Sequence, residues 1–143
     1  MKPKPPEQQV TAERELCGLV NGLAHQIDEH VRDRAARLGL TAAQATALRE
    51  LTGPMTMRGL AERMGCEPSN ATFVVDKLEA QGLIQRRPHP TDRRAKQLEL
   101  TVRGGKLRGQ LLDLLVEDSP LAALSPRQQD ALHDLLERAL TRR

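Results

Sequence analysis

Apolar residues follow a helical spacing through almost the whole chain, and only the region 83–100 departs from it. Two short segments, 83–87 and 95–100, break the pattern, and in the second of them Gln97 and Glu99 alternate with the residues at 96, 98 and 100. A period of two indicates a β-strand, and the polar link over 89–94 is typical of a turn. We therefore predict one β-hairpin within a helical chain. The presence of one Phe and no Trp or Tyr also favours helices, because sheets are enriched in aromatic residues.

Six helices are predicted around this hairpin. Residues 1–10 contain three prolines and are expected to form a mobile arm. A long amphipathic helix follows over 11–38 and begins a single domain over 11–143. The other five helices begin at recognisable residues, with Pro68 as a first helical residue and with four N-caps at Thr41, Thr56, Thr101 and Ser125.

The third and fourth predicted helices, 57–64 and 68–81, are joined by a tight turn at Gly65. A short helix, a turn and a longer helix make a helix-turn-helix. One face of the longer helix is apolar, at positions 71, 74, 75, 78 and 82. The other face carries polar residues near the helix N-terminus, which suit base edges and phosphates. Phe73 belongs to that second face, where it either meets a thymine methyl group or turns back onto a neighbouring helix.

Positive charge is concentrated in and just after the predicted hairpin. Between Ile84 and Lys106 there are seven cations and two acids, a net charge of +5 in a chain whose total is +3. Because a narrow minor groove attracts inserted arginine, a basic hairpin beside a helix-turn-helix indicates a wing. Asp92 is expected to hold the guanidinium of Arg94; the alternative is a solvated charged loop. The predicted DNA-binding residues are Ser69, Asn70, Thr72, Phe73, Lys77, Arg86, Asp92, Arg93, Arg94 and Lys96.

The predicted fold class is mainly α with a small β-hairpin wing. It is a winged helix-turn-helix reading head over 41–101, with N- and C-terminal dimerisation helices over 11–38 and 102–141. The apolar residues of those outer helices exceed what a unit of about 60 residues can cover, and symmetric pairing is the usual solution. The expected partners are double-stranded DNA and a second copy in a homodimer. The alternative is a dimeric scaffold whose basic hairpin binds a protein or RNA.

Several motifs together resemble the MarR family of bacterial regulators. They are the stretches 57–72 and 74–84, Pro-Thr-Asp-Arg-Arg-Ala-Lys over 90–96, and Leu-Glu-Leu-Thr over 98–101, and the Asp-Arg-Arg run before a Leu-Thr-x-x-Gly ending is the most specific combination. The resemblance covers about residues 11 to 141. It implies a triangular dimer in which the first, fifth and sixth helices intertwine. It also implies a pseudo-palindromic operator, with one recognition helix per major groove and one wing per minor groove.

The resemblance implies regulation as well, by a small anionic, phenolic or lipophilic ligand between the dimer helices and the reading head. Gly18, Gly22 and His25 on the first helix are the candidate ligand-binding residues. Some MarR relatives sense peroxides through a cysteine of this helix activated by tyrosines. This chain has Cys17 there but no tyrosine, so we expect a small core residue, with a redox switch through Cys17 as the alternative. Phe73 stands where the family more usually has arginine or a small residue, so no operator sequence is implied.

Other classes of function find no support in the sequence. No catalytic motif is visible, so an enzyme is not expected. The histidines are scattered and the two cysteines lack a metal-binding spacing, so neither a metal site nor a cofactor is expected. Without a visible signal peptide or membrane-spanning run, the chain is predicted to be cytoplasmic, with no membrane partner. These inferences predict a DNA-binding transcriptional regulator, a repressor relieved by its ligand.

Overall fold

The computed structural model describes residues 2–141. This part of the chain forms six helices and one two-stranded antiparallel sheet, which confirms the predicted fold class. The elements in chain order are α1 (Glu7–Arg37), α2 (Ala42–Glu50), α3 (Met57–Met64), α4 (Pro68–Ala80), β1 (Ile84–Pro88), β2 (Lys96–Leu100), α5 (Val102–Val116) and α6 (Pro126–Leu140). The chain divides into two compact units, one over Asp28–Glu117 and one made by the described residues before and after it.

Local capping chemistry explains where most helices begin. Thr41 and Gln44 form a capping box, in which the Gln44 N–H donates to Thr41 Oγ1 at 3.1 Å and the Thr41 N–H donates to Gln44 Oε1 at 3.0 Å. Ser125 and Gln128 repeat this arrangement at α6. Each side chain satisfies a backbone donor that the first helical turn leaves without a partner. The predicted N-caps are confirmed at all four positions, which are Thr41, Thr56, Thr101 and Ser125.

The N-terminal boundary of α1 differs from the prediction. Residues 7–10 were assigned to the arm, but they form the first turn of α1, where the N–H groups of Gln9 and Val10 donate to the Pro6 carbonyl. Proline has no N–H to satisfy at a helix start, and Glu7 in the first turn offsets the positive end of the helix dipole. The non-helical arm is therefore limited to residues 2–6 among those described, and Met1 lies outside the described residues.

The core of the unit Asp28–Glu117 is aliphatic, as a chain with a single Phe requires. Its largest fully buried side chains are Leu48, Leu51, Leu60, Leu78, Ile84, Leu98, Leu111 and Val75. They come from four helices, from the residue that follows α2, and from both strands, so the hairpin packs into the same core as the helix-turn-helix. Burying a leucine or valine side chain contributes about 1.5–3 kcal/mol.

Two helix C-termini in this unit are capped by arginines from other elements. Arg34 of α1 is 9% exposed and donates to the carbonyls of Leu114 at 3.0 Å and Glu117 at 2.9 Å, at the end of α5. Arg108 of α5 donates in the same way to the carbonyls of Leu48 and Arg49, at the end of α2. A cation there satisfies orphan carbonyls and opposes the negative end of the helix dipole.

A close backbone contact positions the hairpin. Gly82 ends α4 with φ 75°, and the Thr101 hydroxyl donates to its carbonyl at 2.7 Å. The N–H of Thr101 donates to the Leu83 carbonyl at 3.1 Å. A Cβ on Gly104 would lie 1.9 Å from that same carbonyl oxygen, so only glycine fits there. These contacts give the Leu-Thr-x-x-Gly ending a structural role, because they join the start of α5 to the start of β1.

The second unit leaves much apolar surface uncovered within one chain. None of the residues of α6 is buried, and Leu135 and Leu140 are 62% and 83% exposed. The part of α1 before Asp28 is similar, with Leu16 and Leu19 at 60% and 71%. Within residues 2–141, no helix combines the length and apolar character needed to cross a bilayer.

Candidate nucleic-acid interface

Helix α4 has one buried and one exposed face, as its periodicity predicted. Ala71, Val74, Val75 and Leu78 are buried. The exposed side carries four of the predicted DNA-binding residues, Ser69, Asn70, Phe73 and Lys77. Gly82, expected on the apolar face, is instead exposed, because the chain has left the helix there with a left-handed φ.

Phe73 points outward, which decides between the two orientations considered for it. Its side chain is 62% exposed. The ammonium group of Lys77 lies 4.5 Å from the centre of the Phe73 ring, a cation–π distance at which the quadrupole of the ring attracts the charge. The two side chains therefore support each other on the exposed face of α4 and present an apolar and a cationic group together.

Thr72 is placed less favourably than its neighbours. Its hydroxyl donates to the Pro68 carbonyl at 2.9 Å, and the side chain is half-buried. With the hydroxyl proton used inside the helix, Thr72 offers its methyl group and an oxygen lone pair.

At the start of the same helix, Glu67 provides no side-chain cap and Pro68 has no N–H. The first turn of α4 is thus without a side chain covering its end.

Arg86 of β1 links the hairpin to the exposed face of α4. It donates to the Asp76 carboxylate at 2.5 Å and lies 3.9 Å from that of Glu79. Its neighbour Arg87 pairs with Glu99 on the facing strand. Both arginines are therefore already neutralised by carboxylates. The sequence placed Arg86 among the DNA-binding residues, and in the structure its ion pairs hold the two parts of the surface together.

We define the wing tip as residues 89–95. Its two arginines, and Lys96 just after it, are not neutralised in this way. Among the described residues, the side chains of Arg93, Arg94 and Lys96 have no carboxylate partner, and all three are exposed. The net positive charge of the hairpin is consequently concentrated at its tip. A tip with this charge suits the negative potential of a narrow minor groove.

The role predicted for Asp92 is wrong in its geometry. Asp92 Oδ1 accepts the backbone N–H of Arg94 at 3.0 Å, and no ion pair joins the two side chains in the described part of the chain. In a turn, a short aspartate side chain readily accepts the backbone N–H two residues on. An ion pair with Arg94 would instead require a long, flexible guanidinium side chain to fold back onto the carboxylate. Asp92 shapes the tip, and the Arg94 side chain stays available.

His89 is a site residue that sequence reasoning missed. Its Nδ1 accepts the backbone N–H groups of Thr91 at 3.2 Å and Asp92 at 3.1 Å, and it lies 3.3 Å from the Thr91 hydroxyl. The His89 N–H in turn donates to the Ala95 carbonyl at 3.2 Å. The sequence did contain a signal for this role. His89 lies two and three residues before the N–H groups of a predicted turn, which is the spacing at which the side chains of Asn and Asp accept such groups.

The remaining candidates, Cys17, Gly18, Gly22 and His25, lie on α1 before Asp28 and so outside the unit that carries this interface. A Cβ on Gly18 or Gly22 would meet no atom within 4 Å. Cys17 is exposed, so the expectation of a small core residue is wrong for the single chain. Within residues 2–141, none of the side chains in this part of α1 is buried.

The wing and the helix-turn-helix together match one known family. A model of the MarR family matches residues 40–96, which run from the start of α2 through the wing tip. The winged helix-turn-helix of this chain is therefore similar to that of the MarR family. This confirms the resemblance found in the motifs, and the matched region contains every predicted DNA-binding residue.

One relative and two solved structures show how far the similarity to MarR-type regulators extends. The transcriptional repressor MdtR of Bacillus subtilis is 33% identical over 87 residues, which cover 59% of this chain and 56% of MdtR. A mutant of MarR from E. coli in complex with operator DNA has a TM-score of 0.69 at 24% identity, over 88% of this chain and 94% of that one. Bordetella bronchiseptica BpsR, whose DNA binding is regulated by 6-hydroxynicotinic acid, has a TM-score of 0.71 at 21% identity, over 87% and 98%.

These likenesses differ in what they establish. The two solved structures show that the MarR fold extends over most of this chain. The chain spans only 56–58% of the length of the three curated relatives that it matches at 32–33% identity.

Proposed function

We propose that this protein is a sequence-specific regulator of transcription that binds double-stranded DNA as a homodimer. The observation that carries the proposal is the pairing of two surfaces by Arg86. An exposed helix face with polar, cationic and aromatic groups is held beside a hairpin whose tip cations have no carboxylate partner among the described residues. Helix α4 would enter the major groove and the wing tip the adjacent minor groove.

Each group on this surface has a chemistry suited to duplex DNA. Ser69 and Asn70 lie in the first turn of α4, where the helix dipole favours a phosphate and the side chains reach base edges. Phe73 offers apolar contact to a thymine methyl group, with Lys77 held over its ring. Arg93 and Arg94 bring charge to the backbone and the minor groove. Base contacts on α4 would provide the specificity and the wing much of the affinity.

The homodimer is proposed from the unit formed by the chain ends. Its two helices expose Leu16, Leu19 and Val20 on α1 and Leu135 and Leu140 on α6. Monomeric proteins rarely leave so many large apolar side chains uncovered, and a second copy offers a self-complementary surface that covers them. Two identical reading units would then recognise a pseudo-palindromic operator.

Repression and control by a small molecule complete the proposal. MdtR is named a repressor, and the DNA binding of BpsR is regulated by 6-hydroxynicotinic acid. In this chain Gly18, Gly22 and His25 would line a ligand site that is complete only in the dimer, since the space beside both glycines is open in one chain. As a regulator of chromosomal genes, the protein would act in the cytoplasm.

A DNA-binding measurement tests the central proposal. Fluorescence anisotropy with the duplex upstream of the protein's own gene should give saturable binding that unlabelled copies of that duplex displace and random duplex does not. The logarithm of affinity should fall linearly with the logarithm of salt concentration, with a slope set by the number of phosphates neutralised. Equal competition by random duplex would reject a sequence-specific regulator. Preference for single-stranded RNA would favour the scaffold alternative.

Two additions to this assay test how the regulator is switched. Adding 6-hydroxynicotinic acid should weaken DNA binding by the wild type, and Gly22→Leu, which fills the open space on α1, should abolish the response. Treatment with hydrogen peroxide should leave binding unchanged in both the wild type and Cys17→Ser. A peroxide effect that is lost in Cys17→Ser would establish the redox alternative instead.

A further inference from the structure

We propose that the neutral imidazole of His89 holds the wing tip in its DNA-binding conformation, and that protonation of this ring releases it. The proposal deepens the DNA-binding function above and rests on it. It makes His89 a positioning residue for Arg93 and Arg94, and it makes the wing sensitive to pH. The argument starts from which atom of the ring is the acceptor.

The geometry determines the protonation state of Nδ1. Three groups lie near it, and two of them, the backbone N–H groups of Thr91 and Asp92, can only donate, while the third, the Thr91 hydroxyl, can donate or accept. Nδ1 must therefore carry a lone pair, and the ring proton of the neutral form is on Nε2. A second proton on the ring would occupy Nδ1 and leave both N–H groups facing another donor. The contacts at the wing tip thus exist only with the neutral imidazole.

These contacts bear directly on the arginines of the tip. The N–H held by His89 belongs to Asp92, and the same residue accepts the N–H of Arg94 through its side chain at 3.0 Å. The Asp92 carbonyl also accepts the N–H of Ala95 at 3.2 Å, and the Ala95 carbonyl accepts the His89 N–H. The bonds between His89 and Asp92, Asp92 and Ala95, and Ala95 and His89 form a closed ring, and the bond to Arg94 branches from it at Asp92. Releasing Nδ1 opens this ring, so the backbone that carries Arg93 and Arg94 loses its order.

His89 uses the geometry by which Asn and Asp stabilise turns. Its Nδ1 and the Oδ1 of asparagine are both three bonds from Cα, so either atom can accept an N–H two or three residues on. Asparagine would keep the hydrogen-bond acceptor, and its side chain does not ionise. His89→Asn and His89→Ala therefore separate the acceptor from the ionisable group.

The hairpin itself carries charged residues next to His89 in sequence and in strand register. Asp92, Arg93 and Arg94 lie in the tip, and Lys96 is the strand partner of Pro88, the residue before His89. Of these, one is an acid and three are cations, and no residue of another element makes a hydrogen bond or ion pair to the imidazole in the described chain. A proton on His89 would add a fourth cation. By charge alone this would strengthen binding to DNA phosphates, so the sign of the pH effect distinguishes release of the tip from simple charge attraction.

DNA affinity of the three proteins at two pH values tests the proposal. Histidine changes charge between about pH 5 and 8, so measurements are made near those limits on the upstream duplex at fixed salt. At the upper pH the wild type should match His89→Asn and bind roughly three- to tenfold tighter than His89→Ala, the effect of about one net hydrogen bond. At the lower pH the wild type should instead match His89→Ala. The pH profile of His89→Asn corrects for every other titrating group.

An NMR titration of the free protein tests the same step without DNA. In the wild type, acidification should shift the amide signals of Thr91 and Asp92 and speed their exchange with solvent, and in His89→Asn both signals should stay in place. Failure of the DNA assay together with these amide changes would reject DNA binding and leave the wing-tip contact standing. Two results would overturn the role of His89. One is that the amide signals of the wild type do not change on acidification, and the other is that the DNA affinity of the wild type rises in acid while that of His89→Asn and His89→Ala does not.

Discussion

The backbone of Gly104 lies against the carbonyl of Leu83, where a Cβ would stand 1.9 Å from the oxygen. That oxygen also accepts the N–H of Thr101, so it cannot move away without breaking its bond to the N-cap residue of α5. The contact joins the first turn of α5 to the residue that precedes the first strand of the wing. It is the physical basis of the glycine in the Leu-Thr-x-x-Gly ending.

Gly104→Ala is therefore expected to destabilise the fold by about 1–3 kcal/mol or more, the usual cost of overpacking a closed site. The neighbouring Gly105 provides the matched control, because a Cβ there meets no atom within 4 Å. Gly105→Ala should stabilise by up to about 1 kcal/mol through helix propensity. Chemical denaturation followed by circular dichroism measures both. Equal effects of the two substitutions would contradict the contact.

Arg94→Ala should weaken operator binding by about 1–3 kcal/mol and leave the dimer intact. The side chain has no carboxylate partner in the described residues, so its loss removes a DNA contact without leaving an unpaired acid. Lys106→Ala removes the same charge from an exposed position on α5 and should have a smaller effect. Anisotropy titrations over a range of salt measure both, and a similar loss in each would mean long-range attraction rather than a wing contact.

Phe73→Ala should separate affinity from stability. The ring is 62% exposed, so unfolding free energy should change by no more than about 0.5 kcal/mol, as for most surface substitutions. Operator affinity should fall, and the loss should be largest for duplexes that retain a thymine at the contacted position. Replacing thymine by uracil, which lacks the methyl group, tests this in the wild type. Equal affinity for both duplexes would show that Phe73 does not read a methyl group.

Leu135→Asp, or Leu136→Asp, should convert the dimer to a monomer and remove tight operator binding. The leucines are 62% and 37% exposed within one chain, and a charge at an apolar interface cannot be desolvated cheaply. Val102→Asp is the control, since Val102 is also exposed, at 86%, but belongs to the other unit. Analytical ultracentrifugation gives the association state. A monomeric variant that kept full operator affinity would contradict the homodimer proposal.

The parts of this fold that could be predicted from the sequence are those with local causes. The N-caps Thr41 and Ser125 act on residues three positions away, and the buried face of α4 follows from helical periodicity. The start of α1 was placed four residues late because its first turn carries few apolar side chains. Helix formation there depends on the preceding prolines and Glu7 rather than on an apolar stripe.

The details of the site depended on tertiary placement and could not be predicted in the same way. Arg86 could be recognised as a cation of the wing, but its pairing with Asp76 requires that β1 return beside α4. Asp92 was matched with the wrong group of Arg94, because a charge pair is easier to propose from sequence than a turn hydrogen bond. The orientation of Phe73 also stayed open until the neighbouring helices were in place.

Helix α6 buries none of its side chains within its own chain, and a helix of its length is marginal in water by itself. If a second copy covers this helix, as proposed, its folding depends on the concentration of the protein. At low concentration the chains would be monomeric and α6 would be open to proteolysis, and at high concentration dimerisation would protect it. The cellular lifetime of the regulator would then rise with its own concentration.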